Sequence, residues 1–205
     1  MKILITAGPT REKIDPVRYI TNRSSGKMGY AIAAAALEDG HDVILISGPV
    51  SIDPPAGATV INVESAGEMA SAVHQHADKA DVVIMAAAVA DYRPAHPFDN
   101  KMKKMPGKLY LELERTEDIL GSLGKNKRSG QLLIGFAAET DDLENNALGK
   151  LERKNLDWIA ANLVSDAFAA DTNKITLYKR SGEKIALPAG SKTDVARNML
   201  QVILT

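Results

Sequence analysis

The chain has 205 residues, a formal net charge of −1, 45% hydrophobic residues and no cysteine. That length suits one compact α/β domain over residues 1–205, with room for a small appended hairpin but not for a second full domain. The charge balance lacks the basic excess of a protein that grips nucleic acid by its phosphates, and the absence of cysteine excludes disulfides, thiolate nucleophiles and thiolate metal sites.

Lys2 to Thr6 is an apolar, β-rich run and reads as the first strand. It opens into Ala7-Gly-Pro-Thr-Arg-Glu-Lys-Ile-Asp-Pro-Val-Arg-Tyr-Ile-Thr-Asn-Arg-Ser-Ser-Gly-Lys-Met-Gly, followed by an alanine-rich helix over Met28 to Glu38. About 2 to 6 residues suffice to join strand to helix in an α/β unit, so so elaborate a loop reads as a ligand-binding loop. Asn22, Ser24, Ser25, Gly26 and Gly29 fall where a helix starting near Lys27 leaves its first N–H groups unpaired. Two readings stand: a plain helix cap, which Asn and Ser favour, or a site that holds an anion on those donors and the helix dipole.

Strands over Asp42 to Ser47 and Thr59 to Val63, with a helix over Gly67 to Ala80, continue the alternation. The pattern predicts a Rossmann-like, doubly wound α/β fold with a mainly parallel sheet and crossover helices. Asp81 to Ala87 and Gln131 to Phe136 are nearly all apolar, as in central strands covered on both faces. Val82 to Ala90, the longest apolar stretch, falls short of the roughly 20 residues of a membrane helix, so no membrane contact and a cytoplasmic location are expected. Ligands in open α/β sheets bind beyond the carboxyl ends of the strands, which points to Thr6 to Gly8, Ala86 to Asp91 and Phe136 to Thr140.

Tyr92 to Gly107, with three prolines and Lys101-Met-Lys-Lys, breaks both periodicities and reads as a mobile flap. It leads into Lys108 to Glu114, which alternates like a strand with one wet face. A helix over Asp142 to Lys154, a strand over Asp157 to Ala160 and a hairpin of Lys174 to Tyr178 with Lys184 to Leu187 follow. Ser191 to Ile203 closes the chain as a helix capped by Ser191 or Thr193.

The turn Ala7-Gly8-Pro9-Thr10 does not supply G-x-G-x-x-G, and Gly26-Lys27 and Gly124-Lys125 are followed by Met28 and Asn126 instead of the Ser or Thr of a P-loop. None of the five tyrosines has lysine four positions on, against a nicotinamide-dependent reductase or epimerase. Asn22 carries a neutral amide able to donate to a carbonyl oxygen. Asp91, just past an apolar strand, suits a nucleotide or metal contact, or caps a turn. Lys101, Lys103 and Lys104 form either a solvated charge run or a local supply of cations for phosphates. Lys150 and Lys154 share one helix face, and Phe136 is either ordinary core or a neighbour for a base. His74 and His76 point to different helix faces and receive no role.

Gly8-Pro-Thr-Arg-Glu-x-Ile-Asp-Pro-Val-Arg-x-Ile-Thr-Asn-Arg-Ser-Ser-Gly-Lys-Met-Gly, Ala86-Ala-Ala-Val-Ala-Asp-Tyr-Arg-Pro, Lys101-x-Lys-Lys, Gly135-Phe-Ala-Ala-Glu-Thr and Lys154-Asn-Leu-Asp-x-Ile-x-Ala-Asn together resemble phosphopantothenoylcysteine synthetase. The resemblance runs in order over nearly the whole chain. It implies a ligase of coenzyme A biosynthesis that joins 4'-phosphopantothenate to L-cysteine, using CTP and Mg2+ through an acyl cytidylate. By motif match it assigns catalysis to Asn22 and Lys101. It assigns nucleotide binding to Met85, Ala86, Ala87, Asp91, Lys101, Glu117, Asp118, Ile119, Leu120, Phe136, Lys150 and Lys154, and substrate binding to Asn22, Ser24, Ser25, Gly26 and Met28. It further implies a homodimer built with the segment Lys108 to Glu114, and a flavin-dependent phosphopantothenoylcysteine decarboxylase as fused or separate partner. The resemblance makes Glu117 to Leu120 a turn beside the base, where Glu117 departs from the proline that some relatives carry. A non-catalytic nucleotide-binding module is the rival reading, and the joint presence of Asn22, Asp91 and Lys101 weighs against it.

Overall fold

The computed structural model describes residues 1–104, 106–163 and 172–205. Its first half runs β1 (Lys2–Ala7), β2 (Arg11–Lys13), β3 (Tyr19–Thr21), α1 (Lys27–Glu38), β4 (Asp42–Ser47), β5 (Thr59–Asn62), α2 (Ala66–Ala77), β6 (Val82–Met85) and β7 (Tyr92–Pro94). The second half runs β8 (Leu113–Arg115), α3 (Ile119–Lys125), β9 (Leu132–Glu139), α4 (Leu143–Arg153), β10 (Trp158–Leu163), β11 (Thr172–Asn173), β12 (Thr176–Lys179), β13 (Lys184–Ala186), β14 (Gly190–Ser191) and α5 (Lys192–Ile203). No helix among the described residues is long and apolar enough to cross a membrane.

The central sheet has the order β13-β12-β10-β9-β6-β1-β4-β5. The strands from β10 to β5 are parallel, and β12 and β13 add an antiparallel hairpin at one edge. The sheet divides the core in two because successive strand residues point to opposite faces. Ile3, Ile5, Val82 and Ile84 face α1 and α5, whereas Leu4, Val83, Met69, Leu123 and Leu151 belong to the face covered by α2, α3 and α4. The strands are therefore apolar on both faces, as the doubly wound reading requires. α5 lies beside α1, with Arg197 Nε 3.0 Å from Glu38 Oε2, and is capped by Ser191 as expected.

Four expectations need correction. The loop after β1 holds a two-stranded ribbon, with Arg11 opposite Thr21 and Lys13 opposite Tyr19. The strand expected over Asp81 to Ala87 ends at Met85, because the Ala87 N–H turns to the Thr6 hydroxyl at 3.1 Å and leaves the ladder. The strand expected over Lys108 to Glu114 is only Leu113–Arg115, paired with Tyr92–Pro94 inside the expected flap. The segment Glu117 to Leu120, read as a turn, runs into the short helix α3, whose N-cap Asp118 accepts from Gly121 N–H at 3.0 Å. Within the flap, Met105 lies outside the described residues.

The start of α1 is set against β1 by a glycine. A Cβ at Gly29 would stand 2.6 Å from the Ala7 Cβ and 3.0 Å from the Thr6 carbonyl oxygen, whereas one at Gly67 in α2 would meet only Ser65 Oγ at 3.9 Å. Both are first-turn helical glycines, so helix propensity alone favours alanine at each. We predict opposite signs in thermal denaturation. Gly29→Ala should destabilise by about 1–3 kcal/mol through overpacking, and Gly67→Ala should stabilise by up to about 1 kcal/mol.

Candidate active site

β1 and β6 are neighbours, but α1 leaves β1 for one face of the sheet while α2 and α3 cover the other. Such a switch point opens a crevice at the carboxyl ends of the strands. Its floor is made by zipping the loops after β1 and β6 together. Ala88 N–H donates to the Gly8 carbonyl at 2.9 Å, Pro9 bridges Ala88, and Ala90 N–H donates to Thr10 Oγ1 at 2.9 Å. Thr116 Oγ1 donates to the Ala90 carbonyl at 2.6 Å from the other side. With their backbone groups satisfied in this way, the alanines of 86–88 present little more than main chain to the cavity, which measures about 1060 Å³.

Asn22 follows β3 directly and reaches across this floor. Its Nδ2 donates to the carbonyls of Ala88 at 3.3 Å and Val89 at 3.0 Å. α1 then begins at Gly26, whose φ of 74° is left-handed and favours glycine. Among the described residues no side-chain hydrogen bond caps the helix at Gly26, in contrast to the Asn or Ser cap that composition allows. Gly26 N–H faces Ser24 Oγ at 3.4 Å. The start of α1 thus meets the crevice as a cluster of main-chain donors at the positive end of a helix.

The opposite wall is cationic. Lys150 Nζ donates to the Phe136 carbonyl at 2.7 Å. Burial pushes its pKa below the ordinary lysine value, the Lys154 charge adds to this, and Glu139, Asp91 and Asp118 oppose it. Lys154 pairs with Asp118. Burial works to raise the Asp118 pKa, but the Lys154 ammonium and the Gly121 N–H hold it below the usual carboxylate range. Two ammonium groups on one wall, one of them desolvated and the other paired with Asp118, make this side of the cavity a place where a further anion would be favoured.

The cavity brings together Asn22, Ser24, Ser25, Gly26, Met28, Met85, Ala86, Ala87, Asp91, Glu117, Asp118, Ile119, Leu120, Phe136, Lys150 and Lys154. Lys101 stands outside its lining, exposed on the flap. Other wall residues were not singled out by sequence: Asn162 and Asn173, both buried, and Lys192 at the start of α5. Asn162 closes β10 and lies in the last motif block, so the rule that ligands gather at strand carboxyl ends would have found it. Asn173 has no comparable signal; its amide contacts Met28 Sδ at 3.7 Å. His74, given no role, hydrogen-bonds Glu117 Oε1 through Nε2 at 2.6 Å and so braces the turn before α3.

The chain is 55% identical over 205 residues to the Coenzyme A biosynthesis bifunctional protein CoaBC of Bacillus subtilis (strain 168), covering 98% of this chain and 50% of that protein. The chain spans about half the length of the curated relatives it matches. The crystal structure of the C-terminal domain of Coenzyme A biosynthesis bifunctional protein CoaBC superposes with a TM-score of 0.86 at 51% identity, covering 98% of this chain and 93% of that one. The DNA/Pantothenate Metabolism Flavoprotein from Streptococcus pneumoniae superposes with a TM-score of 0.84 at 25% identity, covering 100% and 98%. Residues 1–205 match the DNA/pantothenate metabolism flavoprotein C-terminal domain, and the chain belongs to that family.

Proposed function

We propose that the chain is a ligase that joins 4'-phosphopantothenate to L-cysteine in coenzyme A biosynthesis, using CTP and passing through an acyl cytidylate. The observation that carries this reading is the crevice itself: Asn22 spans a floor of bare main chain between an uncapped helix start and the Lys150–Lys154 wall. The nucleotide and 4'-phosphopantothenate both bring phosphate charge, and the two walls offer complementary partners.

In the first step the pantothenate carboxylate, ionised at neutral pH, attacks the α-phosphorus of CTP and pyrophosphate leaves. No proton need be removed, so the protein's work is alignment and charge neutralisation. Lys150 and Lys154, with the Lys101 side chain reaching in from the flap, serve the phosphates. Asp91 and the Met85–Ala87 backbone hold the nucleoside, with Phe136 and the Glu117–Leu120 segment beside the base. Among the described residues no three acidic or histidine side chains gather as a metal site. Mg2+ takes one or two carboxylates together with substrate phosphates, so an ion carried in on the nucleotide would find protein oxygens among the cavity carboxylates Asp91, Glu117 and Asp118. When bound it neutralises phosphate charge.

In the second step the cysteine amine attacks the acyl carbonyl, forms the amide bond, gives up a proton and expels CMP. Asn22 orients the acyl phosphate from the crevice floor. Leu109, Tyr110 and Leu113 are 63%, 83% and 44% exposed. An apolar edge of this kind supports a homodimer built through the β7–β8 ribbon and its neighbouring segment. The reading also carries a cytoplasmic setting and a decarboxylase partner that acts on the product, fused or separate.

The deciding assay supplies 4'-phosphopantothenate, Mg2+ and either CTP or ATP, and follows pyrophosphate and product mass with and without L-cysteine. Cysteine-dependent amide with CTP is expected; no pyrophosphate with either nucleotide would overturn the ligase reading. Asn22→Asp sets a carboxylate against two carbonyl oxygens and an acyl phosphate, and should slow amide formation by about 100-fold or more while pyrophosphate release falls less. Lys101→Gln should show the reverse, with the pyrophosphate burst lost first.

A further inference from the structure

Asp15 occupies the turn between β2 and β3, a surface ribbon, yet it is only 2% exposed. A buried carboxylate is costly unless its oxygens are matched. One oxygen has a local explanation: Oδ1 accepts from Val17 N–H at 2.7 Å and Arg18 N–H at 2.8 Å, the usual way an Asp stabilises a turn. The other does not. Oδ2 accepts from the Arg18 guanidinium and, at 3.1 Å, from the N–H of Met102 in the flap. Arg18 in turn donates to the Met102 carbonyl through Nη1 at 3.4 Å and Nη2 at 3.5 Å. Both polar groups of the Met102 main chain are thus held by one ion pair. Phe98 N–H adds a further attachment at 2.8 Å to the Ile14 carbonyl.

The Met102 N–H belongs to the peptide bond that Lys101 makes with its successor, and the ribbon that holds it ends at Asn22 on the crevice floor. We infer that Asp15 is a positioning residue for Lys101: with Arg18 it clamps the Lys101–Met102 peptide to the ribbon that carries Asn22. This inference rests on the ligase reading for what Lys101 does once positioned. The clamp restricts the flap lysine to its own rotamers about a fixed point, which matters because small misplacements of a charge-stabilising group cost large factors in rate. Burial pushes the Asp15 carboxyl up, but the Val17, Met102 and Arg18 N–H groups and the guanidinium bring it down to about 2. The clamp is accordingly ionised and intact at neutral pH.

Asp15→Asn separates the two oxygens' roles. The amide keeps an acceptor for Val17 and Arg18, so the turn survives, but sets an NH2 donor against the Met102 N–H and the guanidinium. The ligand-free variant should melt within a few degrees of the wild type, and trypsin should cut after Lys101 and Lys103 about tenfold faster or more, with other sites unchanged. Nucleotide-dependent pyrophosphate release should fall about tenfold or more, and Asp15→Asn should slow a Lys101→Gln background no further. A full repeat of the loss on that background, or unchanged tryptic cleavage in an active enzyme, would overturn the clamp. Failure of the wild type to release pyrophosphate would instead remove the ligase reading, and with it the role given to Lys101.

Discussion

Everything at this site depends on one geometric constraint: β1 and β6 lie side by side while the chain leaving each departs to a different face of the sheet. Two loops that diverge cannot cover the backbone between them, so the polar groups at the ends of both strands must be satisfied sideways. Thr6, Thr10 and the Pro9–Ala88 bridge do this. The alanines between them are the complement of that solution, since any larger side chain would fill the space that the departing helices leave open. The crevice is thus a direct result of the parallel topology, and its bare floor a result of how the strand ends are hydrogen-bonded.

A formal charge of −1 over the whole chain leaves no general field to attract anions. Attraction is concentrated instead. The start of α1 contributes fixed dipoles that need no titratable group, and Lys150 and Lys154 contribute two charges that repel each other and are only partly matched by Asp118. Placing cations on the face covered by α3 and α4, and main-chain donors on the face of α1, lets a single cavity receive two anionic groups without drawing them to the same point.

The long elements were legible in the sequence because burial on both faces leaves an unbroken apolar run, and because α1, α2, α4 and α5 are each long enough to show a helical period. The elements that were not legible are short. Arg11–Lys13 and Tyr19–Thr21 have three residues each, too few to show a period, and the second oxygen of the buried Asp15 in their turn is matched by the distant Met102 N–H, which no local pattern reveals. α3 carries two glycines in seven residues, and Gly124 is required by a neighbour: a Cβ there would fall 1.8 Å from the Lys154 carbonyl oxygen. The alternation of Lys108 to Glu114 promised a full strand, but β7 supplies only three partners, and Leu109 and Tyr110 remain outside any ladder. At the site, the strand-end rule located the wall residues after β6 and those of β9, whereas Thr6 to Gly8 lie outside the lining and act through hydrogen bonds to Ala87 and Ala88. Asn173 could not be found that way, because its place beside Met28 depends on how α5's neighbourhood folds back onto α1.

The direction of the chain has a consequence for traffic. β1 begins at Lys2 in the middle of the sheet, and α5 starts with Lys192 on the crevice wall and runs beside α1 toward Ile203. Both ends of the described chain therefore emerge at the amino side of the parallel strands, the pole opposite the crevice. Any unit tethered before Met1 or after Thr205 would hang from that pole. A compound moving between the crevice and such a unit's point of attachment would pass from the carboxyl to the amino end of the parallel strands.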